Sequence, residues 1–246
     1  MGRFRRVLGA FALGYLLLAA PGWGETRKVD LALVLAIDVS GSVNEERWRL
    51  QRQGYENAFK SPEVIQAITS GQHKAIAVTM VEWAGQRHQK QVIDWMIVSD
   101  ETSAVAFASA MLEAPRVYTD WTSISGALDF CVPLFDDSGV EASRKVIDVS
   151  GDGVNNQGRP VDEARAEAVG KGVIVNGLAI LSDYEFLDEY YQEHVVGGPG
   201  AFMVVVKDYA SFAQGVQAKL VREIVDNQTK ARSILAGREG PPYSSR

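Results

Sequence analysis

The sequence predicts one α/β domain, a doubly wound and mainly parallel sheet of six strands with helices on both faces and one antiparallel edge strand. Short, nearly continuous apolar runs are typical of strands buried on both faces of a sheet. Segments with helical spacing alternate with these runs, as parallel neighbours require. Hydrophobic residues make up 46% and charged residues 23% of the 246-residue chain, a balance that allows a sizeable core.

The predicted strands are six apolar runs, of which the first reads DLALVLAI. Only the short polar stretch Trp83–Gln91 separates the second run from the third. A connection this short joins antiparallel neighbours, so we expect the third strand to lie beside the second at an edge of the sheet. The runs are Asp30–Ile37, Lys74–Trp83, Val92–Val98, Lys145–Val149, Val173–Ile180 and Ala201–Val206.

The predicted helices are six segments with apolar residues at helical spacing. Asn44 and Asp100 are helix-start signals, Pro160 suits a first helical turn, and Gly172 suits a helix end. The acid-rich stretch Asp183–Glu193 is interpreted as a solvated helix face without a function of its own. The segments are Asn44–Lys60, Glu101–Ala114, Ser123–Phe135, Pro160–Lys171, Tyr184–His194 and Asp208–Asp226.

The first 24 residues are typical of a secretion signal peptide. Three arginines precede the apolar run Val7–Ala20, and the small residues Gly22 and Gly24 follow it on either side of Trp23. We expect cleavage after Gly24 and a secreted protein without a stable membrane span. An uncleaved membrane anchor is the alternative, but the run is shorter than the roughly 20 residues that a spanning helix needs. The export route stays open.

The expected mature protein is a domain at residues 25–226 followed by a polar tail at 227–246. The chain carries a net charge of -6, and since three arginines and no acid precede Glu25, the rest carries about -9. This acidic body argues against nucleic acid as a partner and suits a divalent cation or a basic protein. The single cysteine, Cys131, excludes an intramolecular disulfide and has the apolar spacing of a buried helical residue.

Three loops carry the residues that indicate a binding site. The motif DVSGS, Asp38–Ser42, follows the first strand; DWT, Asp120–Thr122, precedes the third helix; and SGDG, Ser150–Gly153, follows the fourth strand. Open α/β sheets bind ligands at the carboxyl ends of their strands. We therefore expect the three loops to meet on one rim of the sheet.

These loops supply hard oxygen donors, which favour a Mg²⁺, Mn²⁺ or Ca²⁺ site over zinc or copper. Mg²⁺ fits best, because it needs few side chains and keeps several waters, although the ligand sets of the three ions overlap. Helix capping by Asp38 and the serines, and a simple turn at Asp152, are the alternatives without a metal. The donors are the carboxylates of Asp38 and Asp152 and the hydroxyls of Ser40, Ser42 and Thr122.

The three motifs, in this order, resemble the metal-ion-dependent adhesion site of the von Willebrand factor A or integrin I-type domain, over roughly residues 30–225. The segment Val146–Asn156 also resembles the VIDVSGDGxNN motif of a group of uncharacterised secreted bacterial proteins. The resemblance implies that the serines and the threonine touch the metal directly, and that the aspartates act largely through water. It further implies a metal that accepts an acidic side chain of a protein partner, in the periplasm or at the cell surface of a bacterium.

The second loop departs from the family pattern, which is commonly glycine-rich before the threonine. Here Tyr118–Trp121 precede Thr122. We hypothesise that Trp121 lies beside the metal as an apolar contact for a ligand. Asp120 would add negative charge or bind the metal through water.

A metal-dependent protein-binding module, and not an enzyme, is the predicted function. The alternative is a metal-assisted hydrolase or phosphoryl-transfer enzyme, since such enzymes also hold magnesium at strand ends. The sequence has neither a GxxxxGKS phosphate loop nor a GxSxG nucleophile elbow, and none of its three histidines lies in the three loops. A scaffold with a vestigial site is the third interpretation, which the presence of all five donors disfavours.

Overall fold

A central six-stranded sheet organises the computed structural model, which describes residues 26–225. The expected signal peptide, 1–24, and the tail, 227–246, lie outside the described residues and stay predictions. Within the described range the strands are β1 (Arg27–Val29), β2 (Leu31–Asp38), β3 (Ile76–Trp83), β4 (Gln89–Val98), β5 (Val140–Ala142), β6 (Lys145–Gly151), β7 (Val173–Ile180) and β8 (Met203–Val206).

The predicted sheet topology is confirmed. The strand order is β4-β3-β2-β6-β7-β8, and every neighbouring pair is parallel except β3 and β4, which pair antiparallel at the edge. All eight residues of β2 are buried, as its unbroken apolar sequence predicts for a strand in the middle of a covered sheet. β1 and β5 form a separate two-stranded parallel sheet.

Helices cover both faces of the sheet, so the doubly wound arrangement is also confirmed. One hydrophobic core contains residues of α1, α2, α3 and α7, and a second one contains residues of α4, α5 and α6, including Cys131. The helices are α1 (Glu45–Phe59), α2 (Pro62–Thr69), α3 (Glu101–Glu113), α4 (Ile124–Leu134), α5 (Val161–Gly170), α6 (Leu187–Tyr190) and α7 (Phe212–Ile224), and a π-helical turn, Tyr191–Val195, follows α6.

Two predicted helices begin later than the sequence pattern suggests. The predicted helix Tyr184–His194 begins at Leu187, because the chain first makes a turn that leaves Tyr184 and Phe186 exposed. The segment expected to begin at Asp208 becomes α7 only at Phe212, because the Asp208 carboxylate accepts a hydrogen bond from the Ser211 backbone, 2.8 Å long, in a local turn.

The sequence prediction also missed three short elements: α2, β1 and β5. α2 has eight residues, with Ser61 as its N-cap and Pro62 in its first turn. β1 and β5 have three residues each, too few to show a periodic pattern. Within residues 26–225, no helix combines the length and apolar character that crossing a membrane requires.

A buried charge cluster fastens α7 to the sheet. The Lys219 ammonium lies 2.6 Å from the Asp148 carboxylate of β6 and 2.8 Å from the Glu223 carboxylate. Asn176 of β7 donates a 2.7 Å hydrogen bond to Glu223. Burial raises the pKa of Asp148 to about 6, and the Lys219 charge opposes that rise. These four residues are all buried, so α7 is fixed by ionic contacts as well as by apolar packing.

Candidate metal centre

The first and third predicted loops contact each other at the carboxyl edge of the sheet through their side chains. β2 and β6 are parallel neighbours, so their ends lie side by side. The Ser42 hydroxyl donates a 2.6 Å hydrogen bond to Asp152, and the hydroxyl oxygens of Ser40 and Ser42 lie 3.2 Å apart. The Ser40 backbone donates to Asp38 Oδ1 at 2.7 Å. Four of the five predicted donors therefore form one chain of contacts.

The fifth predicted donor, Thr122, faces a cavity that Ser42 also lines. This cavity has a volume of about 310 Å³ and opens above the loops. Thr122 comes from the loop before α4 and is almost fully buried. The lining residues are Gly41, Ser42, Asp120, Trp121, Thr122, Gly153, Val154, Asn156 and Tyr184. The structure thus gathers residues of all three loops around one opening, with Gly153 as the contribution of the third loop.

Two asparagines fasten the Thr122 loop to the Asp152 loop. The Thr122 backbone donates to the Asn156 side chain at 2.9 Å, and the Asn156 backbone donates to the Thr122 carbonyl at 2.9 Å. The Ser125 backbone, in the first turn of α4, donates to the Asn155 side chain at 3.1 Å. The sequence analysis gave the paired asparagines only as part of a family motif, and the structure shows that they join two loops.

Arg116 fastens the second loop to the first, and the sequence analysis missed it. Its Nη2 donates to the carbonyl of Val39 at 2.9 Å and to that of Val43. In the opposite direction, the Gly41 backbone donates to the Asp120 carbonyl at 2.7 Å. Side-chain and backbone hydrogen bonds therefore hold this glycine-poor loop in place.

Asp120 lines the cavity, and its carboxylate contacts a histidine. Its Oδ2 lies 2.6 Å from Nδ1 of His88, in the turn between β3 and β4. His88 in turn stacks on Tyr118, with ring centroids 4.8 Å apart. A Cβ on Gly85 would come within 2.9 Å of the Asp120 carboxylate, so only glycine fits there without a shift. That Asp120 binds a metal through water stays a prediction.

Exposed aromatic side chains border the opening. Trp121 is 60% exposed and Tyr184, from the turn before α6, is 40% exposed. Both line the cavity, and Phe186 packs edge-on against Tyr184 at 5.6 Å between ring centroids. Trp121 lines the same cavity as Ser42 and Thr122, and its role as an apolar contact for a ligand stays a prediction. Large exposed apolar groups beside a cavity are typical of interaction sites.

The electrostatics of the loops fit a hard divalent cation. Asp38 is fully buried, and among residues 26–225 its Oδ2 has no hydrogen-bond partner. Burial, and then repulsion from Asp152, raises the pKa of Asp38 to about 7. Burial likewise raises the pKa of Asp152. A buried carboxylate without a positive partner is costly, and a cation among the neighbouring hydroxyls would supply the compensating charge to Asp38.

Hydroxyl oxygens would have to supply the side-chain ligands that the two carboxylates of the candidate centre do not. Within the described part of the chain, no group of three or more His, Cys, Asp and Glu side chains is arranged to hold a metal. The loops instead combine two carboxylates with hydroxyl oxygens, a donor set that suits Mg²⁺, Mn²⁺ or Ca²⁺.

Three residues outside the loops surround the Asp152 carboxylate. Tyr209 and Arg47 contact it directly, and Asp183 contacts Arg47. Tyr209 donates a 2.9 Å hydrogen bond to Asp152 Oδ2, and Nη1 of Arg47 lies 3.1 Å from the same oxygen. Arg47 also pairs with Asp183, at 2.6 Å. Asp183 is exposed, as expected, but it lies in the turn before α6 and not on a helix face; that the acid-rich stretch has no function of its own stays a prediction. Asp183 lies 136 residues from Arg47, too far apart in sequence for any pattern to link them.

Residues 28–228 match the family model described as "Protein of unknown function (DUF1194)". No curated protein matches the chain.

Solved structures share the fold at low sequence identity. A von Willebrand factor type A structure from Catenulispora acidiphila is 17% identical, with a TM-score of 0.58, over 80% of this chain and 43% of that chain. Proximal thread matrix protein 1 from the mussel byssus, with a zinc-occupied MIDAS motif, is 13% identical, with a TM-score of 0.56, over 81% and 48%. The von Willebrand factor domain of the type V pili tip protein Mfa5 from Porphyromonas gingivalis is 10% identical, with a TM-score of 0.53, over 87% and 97%.

These likenesses show the von Willebrand factor A fold and confirm the resemblance drawn from the three motifs. The chain spans less than half the length of the Catenulispora and byssus chains that it matches.

Proposed function

Since the chain belongs to the family described as "Protein of unknown function (DUF1194)" and has the von Willebrand factor A fold, we propose that it is a secreted binding module. It holds a divalent metal in the three-loop centre and binds a protein ligand through that metal. The observation that carries the proposal is the buried Asp38 carboxylate, which has an unpartnered oxygen among the described residues and lies next to Asp152 and the serine hydroxyls.

The residues that would hold the metal are Asp38, Ser40, Ser42, Thr122 and Asp152. Mg²⁺ is the expected ion, with Mn²⁺ and Ca²⁺ as alternatives, because the donors are all hard oxygens. The zinc-occupied motif of the byssus protein supports metal binding by this fold and adds zinc to the ions worth testing. When bound, the metal would offer a positive charge to an acidic side chain of a partner.

Ligand recognition would use the aromatic border of the cavity. Trp121 is exposed at the opening and offers an apolar surface next to the metal. Asp120 is the second residue that we assign to recognition, through its place in the cavity lining. The similar structures include the pilus adhesin SpaC of Lactobacillus rhamnosus GG and the type V pili tip protein Mfa5, which supports a secreted protein acting at the periplasm or cell surface.

Isothermal titration calorimetry tests the metal-binding half of the proposal. Mg²⁺ and Mn²⁺ are titrated separately into the mature wild-type protein, the variant Asp38→Ala, and the control Asp94→Ala, which removes an exposed aspartate of β4. We expect binding to the wild type and to the control, and no measurable binding to Asp38→Ala. Absence of binding to the wild type would refute the proposed centre.

Capture from periplasmic extract tests the ligand-binding half. The immobilised protein is incubated with extract in Mg²⁺ and, separately, in EDTA. A partner retained only in Mg²⁺, and not by Asp38→Ala, is the expected result. If turnover of generic phosphate or ester substrates appears instead and Asp38→Asn abolishes it, the protein is the alternative metal-assisted hydrolase.

A further inference from the structure

A fixed positive charge lies against the proposed metal centre. Arg47, in the first turn of α1, places Nη1 3.1 Å from Asp152 Oδ2 and donates to the Ser42 carbonyl at 3.0 Å. The Arg47 side chain is 25% exposed, whereas Asp152 is fully buried. A guanidinium therefore contacts a carboxylate that we assign to the metal.

Asp183 holds the same guanidinium. Its two carboxylate oxygens accept hydrogen bonds from Nη1 and Nη2 of Arg47, at 2.6 and 3.0 Å, in a two-point contact. The ring of Tyr209 lies under the guanidinium, 5.2 Å from centroid to Cζ, and its hydroxyl donates to Asp152. The position of Arg47 is thus set by contacts to Asp183, Tyr209 and Asp152 together.

A divalent metal ion held by Asp152 would share this carboxylate with the Arg47 guanidinium, which is also positive. Like charges within a few ångströms of each other repel, and partial burial reduces the screening of that repulsion by solvent. Asp183 carries the compensating negative charge and lies outside the three metal-binding loops. The charge felt by the metal therefore depends on both members of the Arg47–Asp183 pair.

We propose that the Arg47–Asp183 pair sets the metal affinity of the centre: Arg47 opposes the divalent cation, and Asp183 reduces that opposition by neutralising Arg47. This inference rests on the proposed metal-binding function. It predicts opposite effects from two substitutions that break the same ion pair. A pair with a purely structural role would instead give effects of the same sign, because either substitution would loosen the same loops.

Calorimetric titration of Mn²⁺ into Arg47→Gln and Asp183→Asn distinguishes these cases. We expect Arg47→Gln to bind Mn²⁺ about tenfold more tightly than the wild type, and Asp183→Asn to bind it about tenfold more weakly. Asp183→Asn should weaken Mn²⁺ binding less in the Arg47→Gln background than in the wild type, because the guanidinium that Asp183 neutralises is then absent. Arg49→Gln, which removes an exposed arginine of the same helix paired with Glu45, is the matched control and should change the affinity less than about twofold.

If the wild type binds Mn²⁺ and the two substitutions change its affinity in the same direction, or not at all, the inference is overturned and the proposed function stands. If neither the wild type nor Arg47→Gln binds Mn²⁺, both fail. Should Arg47→Gln not fold, the sign of the Asp183→Asn effect decides, because this substitution in an exposed turn keeps the size of the side chain. Weaker binding supports the inference, and unchanged or tighter binding contradicts it.

Discussion

Arg116 shows how one side chain can shape a binding loop. Its guanidinium reaches the carbonyls of Val39 and Val43 in the first loop, while its own backbone lies at the start of the second. It therefore couples the positions of Ser40 and Thr122, which we assign to the same metal.

We predict that Arg116→Ala weakens Mg²⁺ binding and lowers the free energy of unfolding by about 1 to 3 kcal/mol, because it leaves partly buried carbonyls without their donor. Calorimetry and urea denaturation measure the two effects. Arg87→Ala, in the turn between β3 and β4, is a control for the loss of an arginine. Unchanged affinity and stability in Arg116→Ala would show that the two loops keep their arrangement without it.

Trp121 permits a test that separates recognition from metal binding. We predict that Trp121→Ala binds Mg²⁺ as the wild type does and unfolds within about 0.5 kcal/mol of it, because its side chain is 60% exposed. Capture of the partner should become weaker. Leu112→Ala removes another exposed apolar side chain, on α3, and should leave capture unchanged. Undiminished capture by Trp121→Ala would exclude the recognition role.

The sequence pattern predicts the donors but not the residues that contact their loops. Asp38 ends β2 and Asp152 follows β6, and the topology of a parallel sheet brings such positions together. Asn156, Arg116 and Arg47 act through the direction of a side chain toward a distant loop, which depends on packing. Periodicity and local motifs carry no such information, so these contacts became visible only in the structure.

Helix α7 depends on charges that its amphipathic pattern hides. Lys219 and Glu223 are buried on this helix and meet Asp148 of β6. A buried ion pair contributes little beyond what an apolar contact would, but losing one partner leaves an uncompensated charge in the core.

We therefore predict that Lys219→Met destabilises the protein by about 3 to 5 kcal/mol at pH 8, measured by urea denaturation. The deficit relative to the wild type should shrink as the pH falls from 8 to about 6, because loss of the Lys219 charge leaves Asp148 with a pKa above its wild-type value of about 6, and proton uptake then removes its uncompensated charge. Lys207→Met, outside the core, is the control. A deficit that is small at pH 8, or independent of pH, would show that the cluster does not stabilise α7 ionically.

The strands and long helices were predictable because burial on both faces leaves an unbroken apolar sequence, and an amphipathic helix repeats over several turns. Short elements lack that repetition. α2 carries a cap and a proline that mark its start, yet its eight residues are too few for a clear pattern. The three-residue strands β1 and β5 owe their pairing to the chain around them.

Metal binding should stabilise the folded domain as a whole. A ligand that binds only the folded state stabilises it, by about 2.7 kcal/mol at a concentration of 100 times its Kd. We predict that Mg²⁺ raises the Tm of the mature protein, that EDTA reverses the increase, and that Asp38→Ala shows neither effect. A Tm that responds to neither Mg²⁺ nor EDTA would favour a scaffold whose site is vestigial.

Anomalous scattering from crystals soaked in Mn²⁺ would show directly whether a divalent metal is held where the three loops meet. We predict one strong anomalous peak about 2.0 to 2.5 Å from the hydroxyl oxygens of Ser40, Ser42 and Thr122, and no peak there in crystals of Asp38→Ala. A map without a peak at these hydroxyls in the wild type, or with the metal bound elsewhere, would contradict the account.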